Sequence, residues 1–491
     1  MGRALMLQGT GSDVGKSLLT AGLCRIARRQ GLSVAPFKPQ NMSNNAAACP
    51  GGGEIGRAQA LQARAAGLEP TTDMNPVLLK PESDRRAQLV LHGKAIGHSE
   101  AARFMEQRER LLAAVLDSFI RLNAAYDLVL VEGAGSPAEV NLRARDIANM
   151  GFARATGVPV CLVGDIDRGG VIAAVVGTQA VLDLADNELI CGFLINRFRG
   201  DVGLFSDGLR FIEQRTGWPS FGVVPWIRAA ARLPAEDAVI LERPATRQAG
   251  TIRIVAPMLS RIANFDDADP LRQEPQVDFS FIPPGQPLPR DADVVVLLGT
   301  KSTVADLAML REQGWDHDIL AHARTGGHVV GLCGGLQMLG CEIADPDGVE
   351  GQPGSYQGLG LLNLNTVMQP DKTVRPVSGF CPALKAAVSG YEIHSGRSTG
   401  PALDRPLLTL DDGKSEGALS AEGRIIGSYV HGLFGSDGFR RAWLESIRQG
   451  SGSGLAYETA IEEALDALAD QLDQVVDIEA PFAAARAPQL T

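Results

Sequence analysis

The apolar positions of this chain gather into short runs, separated by longer stretches of helical periodicity. Residues 3–8, 33–37, 127–131, 158–163, 190–195 and 221–224 are apolar runs of strand length, each ending at a polar residue, glycine or proline. Between them, helical patterns run to about residue 29, open within 51–60 and span 99–125. This alternation predicts a parallel sheet with its ligand groups at the carboxyl edge. Residues 232–250 break the rhythm with weak periodicity, two prolines and mixed charge, which predicts a linker. A second α/β unit starts at 251, with strands predicted near 252–256, 277–281, 293–298, 328–332, 391–394 and 424–430 and a glycine-rich loop at 348–358. In the tail, Ile461, Leu465, Leu468, Leu472 and Val475 share one helical face opposite an acidic one, so the stripe is expected to pack on the body or on a partner. The expected divisions are 1–232, a linker at 233–250, 251–445, and a helical tail at 446–491.

Composition narrows the function classes. A chain of 491 residues has room for two or three domains. A net charge of −11 without a basic cluster argues against a nucleic-acid surface. No run reaches the roughly 18 apolar residues of a membrane helix, and the start of the chain lacks a signal-peptide pattern. The seven cysteines are scattered without a C-x-x-C pair, which predicts neither a zinc site nor a disulfide framework and fits a reducing, cytoplasmic setting. Neither nucleic acid nor membrane is an expected partner, and a homodimer is compatible with the sequence.

Two stretches carry chemistry. Residues 331–340 read G-L-C-G-G-L-Q-M-L-G after an apolar strand pattern, the cysteine form of a nucleophile elbow. Such a turn places Cys333 near the positive end of a helix, which favours a thiolate. A buried cysteine beside a tight turn is the bland alternative, and the flanking glycines favour the nucleophile. The base it needs is expected in His431, at the end of the strand pattern 424–430, with His394 as a weaker candidate that shapes the pocket or serves structure only. Near the N-terminus, G-T-G-S-D-V-G-K-S follows the first strand and opens a helix. Backbone N–H groups in such a loop, here Thr10, Gly11 and Gly15, cradle phosphate; Lys16 adds positive charge, and the Ser17 hydroxyl can bind Mg²⁺. Glu132, a carboxylate ending an apolar strand, is the stronger further metal candidate. Asn41 and Asn44 can donate to a substrate carboxylate without adding charge. Arg143, Arg145 and Asp146 mark a candidate substrate loop, and Asp165 and Asp167 either orient nucleotide or magnesium or form a solvated turn.

These motifs resemble known families. Residues 251–440 resemble a class I glutamine amidotransferase domain, of flavodoxin-like fold, in which the cysteine releases ammonia from glutamine through a thioester. The resemblance places oxyanion-hole donors at Gly299, in L-G-T-K-S-T, and at Gly334. Many members carry H-x-E; here Gly432 and Leu433 follow His431, so the group orienting the histidine is not identified. The variant phosphate loop resembles that of dethiobiotin synthetase, which phosphorylates a carboxylate; in that fold Asn196 and Arg197 flank the purine, and Glu54 resembles a second magnesium ligand, unless it is a helix N-terminal glutamate favoured by the dipole. The segments F-K-P-Q-N-M-S, G-E-I-G-R-A-Q and M-N-P-V-L-L-K-P together resemble the glutamine-hydrolysing cobyric acid synthase family. That resemblance implies two parallel-sheet α/β domains, use of ATP, Mg²⁺ and glutamine, and amidation of the b, d, e and g carboxylates of a corrinoid, adenosylcobyrinic acid a,c-diamide. The alternatives are the sister cobyrinic acid a,c-diamide synthase and, from another class, a partitioning-type nucleotide switch in which Cys333 and His431 would be idle.

Overall fold

The computed structural model describes residues 2–82, 86–100, 104–234 and 251–489. Six parallel strands form the first sheet, in the order Ser220–Pro225, Ile190–Phe198, Val160–Asp165, Arg3–Gly9, Leu128–Glu132 and Val34–Phe37. The central strands are buried at every position from Ala4 to Gly9 and Leu128 to Glu132, as a sheet covered on both faces requires. Phe37, Phe119 and Phe152 meet on one face with ring centroids 5.0 to 5.6 Å apart. The expected helix at 99–125 is found as Phe104–Ala125; its first positions instead end a strand, Lys94–Glu100, and residues 101–103 lie outside the described residues. The expected linker at 233–250 falls almost entirely outside them too, from 235 onward.

The second sheet runs Val277–Ile282, Ile252–Pro257, Val294–Leu297, His328–Leu332 and Ile425–Ser428, all parallel, with Ala418–Leu419 antiparallel at the edge. Against it stands a mostly antiparallel layer that the sequence reading largely missed: a long hairpin of Asn365–Cys381 and Ala386–Thr399, flanked by Glu342–Asp345, which pairs in parallel, and Gly354–Gln357 on one side and by Val430–His431 on the other. The loop expected at 348–358 is therefore part strand. Both sheets are parallel, as the alternating pattern predicted.

The two domains are sewn together near their ligand edges. A first-domain hairpin, Val77–Pro81 with Arg86–Leu91, places Leu78 and Val90 beside Ala46 and Ile393 in one apolar cluster. The tail crosses back: helix Tyr457–Val475 packs its predicted stripe on the phosphate-loop helix Lys16–Arg29. Gly22 permits that approach, since a Cβ there would stand 2.3 Å from Leu472 Cδ1. The acidic face pairs with the same helix, Arg29 lying 2.8 Å from Asp466 and 2.6 Å from Asp470. The tail packs on the body of its own chain.

Candidate active sites

The strand His328–Leu332 turns into the helix Gly334–Leu339 at Cys333, whose φ of 51° and ψ of −106° are strained for a side-chain-bearing residue. The turn is held because Cys333 N–H donates to Ser428 O at 2.8 Å, and because Gly335 lets Leu297 O pass where a Cβ would stand 2.0 Å away. Cys333 is 8% exposed and opens into a pocket that Gly299, Gln337, His394 and His431 also line. Gly299 lies tight against the pair, a Cβ there falling 3.0 Å from His431 Cε1 and 3.7 Å from Cys333 Cβ. Gly334 packs on Thr300. His394 Nδ1 donates to Gly396 O at 2.8 Å and its ring stacks on Tyr429 with centroids 3.9 Å apart, so it shapes the wall.

The group that orients His431 is Asp267. Its Oδ2 lies 2.7 Å from His431 Nδ1, its Oδ1 accepts from Gly432 N–H at 2.6 Å, and both side chains are buried. Nε2 is left to face the thiol. Burial draws the imidazole pKa down, but Asp267 and Cys333 push it up further, to about 10. Asp267 sits in the turn Phe265–Ala268 that follows the first strand of this domain. The acidic run D-D-A-D there is its sequence signal, but nothing in its spacing ties it to position 431. Glu350 completes the pocket: burial lifts its carboxyl to about 7, against Lys301 and the N–H of Thr303, which donates at 2.6 Å.

At the carboxyl edge of the first sheet, the phosphate loop curls over its own helix. Thr10 N–H donates to Val163 O at 2.9 Å, and Gly15 adopts φ 93° with Asn196 Nδ2 where a Cβ would be. Asn196 anchors the loop through Val14 O at 2.8 Å. Lys16 Nζ reaches Gly11 O at 3.0 Å and Gly135 O at 3.2 Å. Ser17 Oγ donates to Glu132 Oε1 at 2.7 Å, and the same carboxylate takes Lys38 Nζ at 2.8 Å and Gln62 Nε2 at 2.6 Å. Asn41 adjoins through Gln59, which lies 3.4 Å from Glu132. Lys38, Gln59 and Gln62 thus belong to this site although the sequence reading gave them no role. Arg197 is spent on Asp13 and Asp165, each at 2.9 Å. Asp167 pairs with Arg199, Arg143 with Asp186, and Asp146 caps the N–H groups of Ala148, Asn149 and Gly151.

Two expected residues do not join this site. Glu54 does not start the helix: it lies in a short strand, Glu54–Gly56, with its buried carboxylate between Lys80 at 2.9 Å and Lys372 at 2.5 Å. Burial raises its pKa, and the two ammonium groups bring it down to about 2; burial takes Lys372 itself down to about 7. Two cations on one carboxylate keep Glu54 ionised. Asn44 instead lines the Cys333 pocket, where its buried Oδ1 has no hydrogen-bond partner among the described residues. The pocket is therefore walled by both domains.

Residues 5–240 match a family model described as the CobQ/CobB/MinD/ParA nucleotide binding domain, and residues 253–439 one described as the CobB/CobQ-like glutamine amidotransferase domain. Over 486 residues the chain is 64% identical to the cobyric acid synthase of Hyphomonas neptunium, covering 99% of this chain and 98% of that protein. Its identity to the enzyme of the same name from Paracoccus denitrificans is 62%, over 98% and 100% of the two chains, and to that of Mesorhizobium japonicum 56%, over 99% and 100%. No described helix is long and apolar enough to cross a membrane. With relatives so similar across both domains and both active-site regions, this chain belongs to the cobyric acid synthase family, glutamine-dependent ligases that join a nucleotide-binding domain to an amidotransferase domain.

Proposed function

We propose that this chain amidates the b, d, e and g carboxylates of adenosylcobyrinic acid a,c-diamide, using ATP and the amide nitrogen of glutamine. The observation that carries the reading is the pairing, in one chain, of Cys333–His431–Asp267 with a phosphate loop facing Glu132. In the amidotransferase domain, His431 takes the thiol proton and Sγ attacks the glutamine amide carbonyl; the proton passes to the leaving nitrogen, ammonia departs, and water frees glutamate from the thioester. The N–H groups of Gly299 and Gly334 stabilise the tetrahedral oxyanion. Glu350 and Lys372 suit the α-ammonium and α-carboxylate of the amino acid. Asp267 replaces the glutamate of H-x-E by reaching His431 from another part of the domain.

In the nucleotide domain the substrate carboxylate attacks the γ-phosphate, giving an acyl phosphate that ammonia then opens. A carboxylate is a poor electrophile, so this activation is needed. Lys16 and Lys38 offset charge on the transferring group. Hard oxygen donors stand together at Ser17 Oγ and Glu132 Oε1, a set that suits Mg²⁺, which ordinarily takes one or two protein oxygens beside phosphate and water. Those two residues would hold the ion, which would supply further charge neutralisation. Asn41, beside Gln59, would donate to the substrate carboxylate.

The test is mass analysis of corrinoids incubated with the protein, ATP and glutamine. Adenosylcobyrinic acid a,c-diamide should lose one mass unit per amide formed, in four steps. Reaction only of free cobyrinic acid, halting at the diamide, would replace this reading with that of the sister enzyme.

A further inference from the structure

The helix Arg57–Ala66 belongs to the nucleotide domain, yet its residues address both sites. Gln62 and Gln59 hold Glu132, the carboxylate beside the phosphate-loop serine. At the helix start, Arg57 reaches across into the amidotransferase domain. Its Nε lies 2.9 Å from Asp266 Oδ2, and Nη2 donates to the Tyr391 hydroxyl and, at 3.2 Å, to Ala46 O. Of its cross-domain partners, Tyr391 touches the catalytic histidine and Asp266 is the chain neighbour of the aspartate that does. Tyr391 stacks on the His431 ring, with centroids 5.2 Å apart and planes 19° apart. Asp266 precedes Asp267, which holds Nδ1 of that ring. The imidazole is thus fixed on its face by Tyr391 and on its edge by Asp267; the Arg57 guanidinium holds Tyr391 directly and Asp267 only through its chain neighbour Asp266. Burial pushes the Asp266 carboxyl up, and Arg57 pulls it back. One guanidinium serves Asp266 by charge while its Nη2 donates to Tyr391 and Ala46; a lysine ammonium is a point charge and does not reproduce that geometry.

We infer that Arg57 is a positioning residue of the glutaminase, supplied by the nucleotide domain, and that its helix couples glutamine hydrolysis to the state of the nucleotide site. The inference rests on the reading of Cys333 and His431 as the glutaminase given above. A ten-residue helix moves as a rigid body, so a shift that nucleotide imposes on Glu132 and Gln62 reaches Arg57, and through it His431. Release of ammonia is thereby tied to a nucleotide site ready to use it.

The experiment measures glutamate release by the full chain, with and without ATP and corrinoid, as kcat and KM for glutamine. Arg57→Ala should lower kcat about 100-fold, the scale of a misplaced catalytic group, with KM within about threefold. Arg57→Lys should recover part of that loss by keeping the charge beside Asp266. ATP should raise glutamate release in the parent and leave it unchanged in Arg57→Ala. A KM effect without a kcat effect, unchanged kinetics, or equal ATP stimulation of parent and variant would overturn the inference. If Arg57→Ala fails to fold, Tyr391→Phe decides, because it keeps the ring on His431 and removes only the hydroxyl that Arg57 holds: an unchanged kcat there and in Arg57→Lys refutes the positioning role. Cys333→Ser separates the two layers. Glutamate release surviving in that variant removes the underlying reading, whereas its loss beside an unaffected Arg57→Ala removes only the inference.

Discussion

Replacing Asp267 with asparagine tests the amidotransferase site at its least expected residue. The parent contact is a 2.7 Å hydrogen bond between side chains only 1% and 2% exposed, so the imidazolium has no water to replace its anion. Removing one partner of a buried pair costs about 3–5 kcal/mol. The ring answers by giving up its proton: burial, which already draws its pKa down, then has only Cys333 against it. An asparagine amide that donates to Nδ1 also puts the ring hydrogen on Nε2, the nitrogen that must accept from the thiol. The loss therefore falls on the reaction, and about 3–4 kcal/mol off transition-state stabilisation is a drop of roughly 10²–10³ in kcat. The assay is glutamate release across pH, with folding followed by circular dichroism. The alkaline limb set by His431 at about pH 10 should move down by more than one unit in Asp267→Asn. A folded variant with kcat within about threefold of the parent would refute the assignment, since no intact buried triad tolerates that exchange so lightly.

The same pair has a signature in stability. The folded pKa of His431 is raised, to about 10, above an unfolded value near 6.5, so its contribution is fully present below about pH 6.5 and is lost as pH rises through about 10. Thermal melts of the parent should therefore weaken over that window relative to Asp267→Asn, and parallel curves would contradict the pairing. Lys16→Ala should abolish amidation from either glutamine or ammonium while glutamate release persists; ammonium-driven synthesis in that variant would remove the carboxylate-kinase role. Leu468→Ala, beneath Gly22 in the tail contact, should cost about 2–5 kcal/mol by denaturant melts, and a change under about 0.5 kcal/mol would show that the tail does not hold the phosphate-loop helix.

Local patterns in the sequence were enough to single out both candidate centres. The phosphate loop and the elbow each need strand, glycine turn and helix within about a dozen residues, and Lys16, Ser17 and Cys333 announce themselves in that window. Parallel strands were legible because runs such as 128–131 are apolar throughout. The antiparallel layer was not: Pro370 and Pro376 interrupt Asn365–Cys381, and its burial alternates only in part, so the strand signal is broken. Asp267 reaches His431 across 164 residues, and Lys372 reaches Glu54 across 318. No spacing rule connects such pairs, so His431 lacked its acid on paper, and Glu54 was read from its helix-side neighbours rather than from the lysines that surround it. Asn41, within the short strand Gln40–Met42, and Asn44, just past its end, stand three positions apart yet lie beside different sites because this stretch runs along the domain boundary.

In the proposed function, ammonia made at Cys333 is consumed at the phosphate-loop site of the same chain. The most direct measurement supplies glutamine labelled with nitrogen-15 in its amide together with unlabelled ammonium, and reads the label in the corrinoid amides made by the parent and by Cys333→Ser. The account predicts labelled amides from the parent and only unlabelled amides from the variant, whose ammonium-driven rate stays near that of the parent. A folded Cys333→Ser protein that makes no amide from either source, or one that still transfers the label, would contradict it.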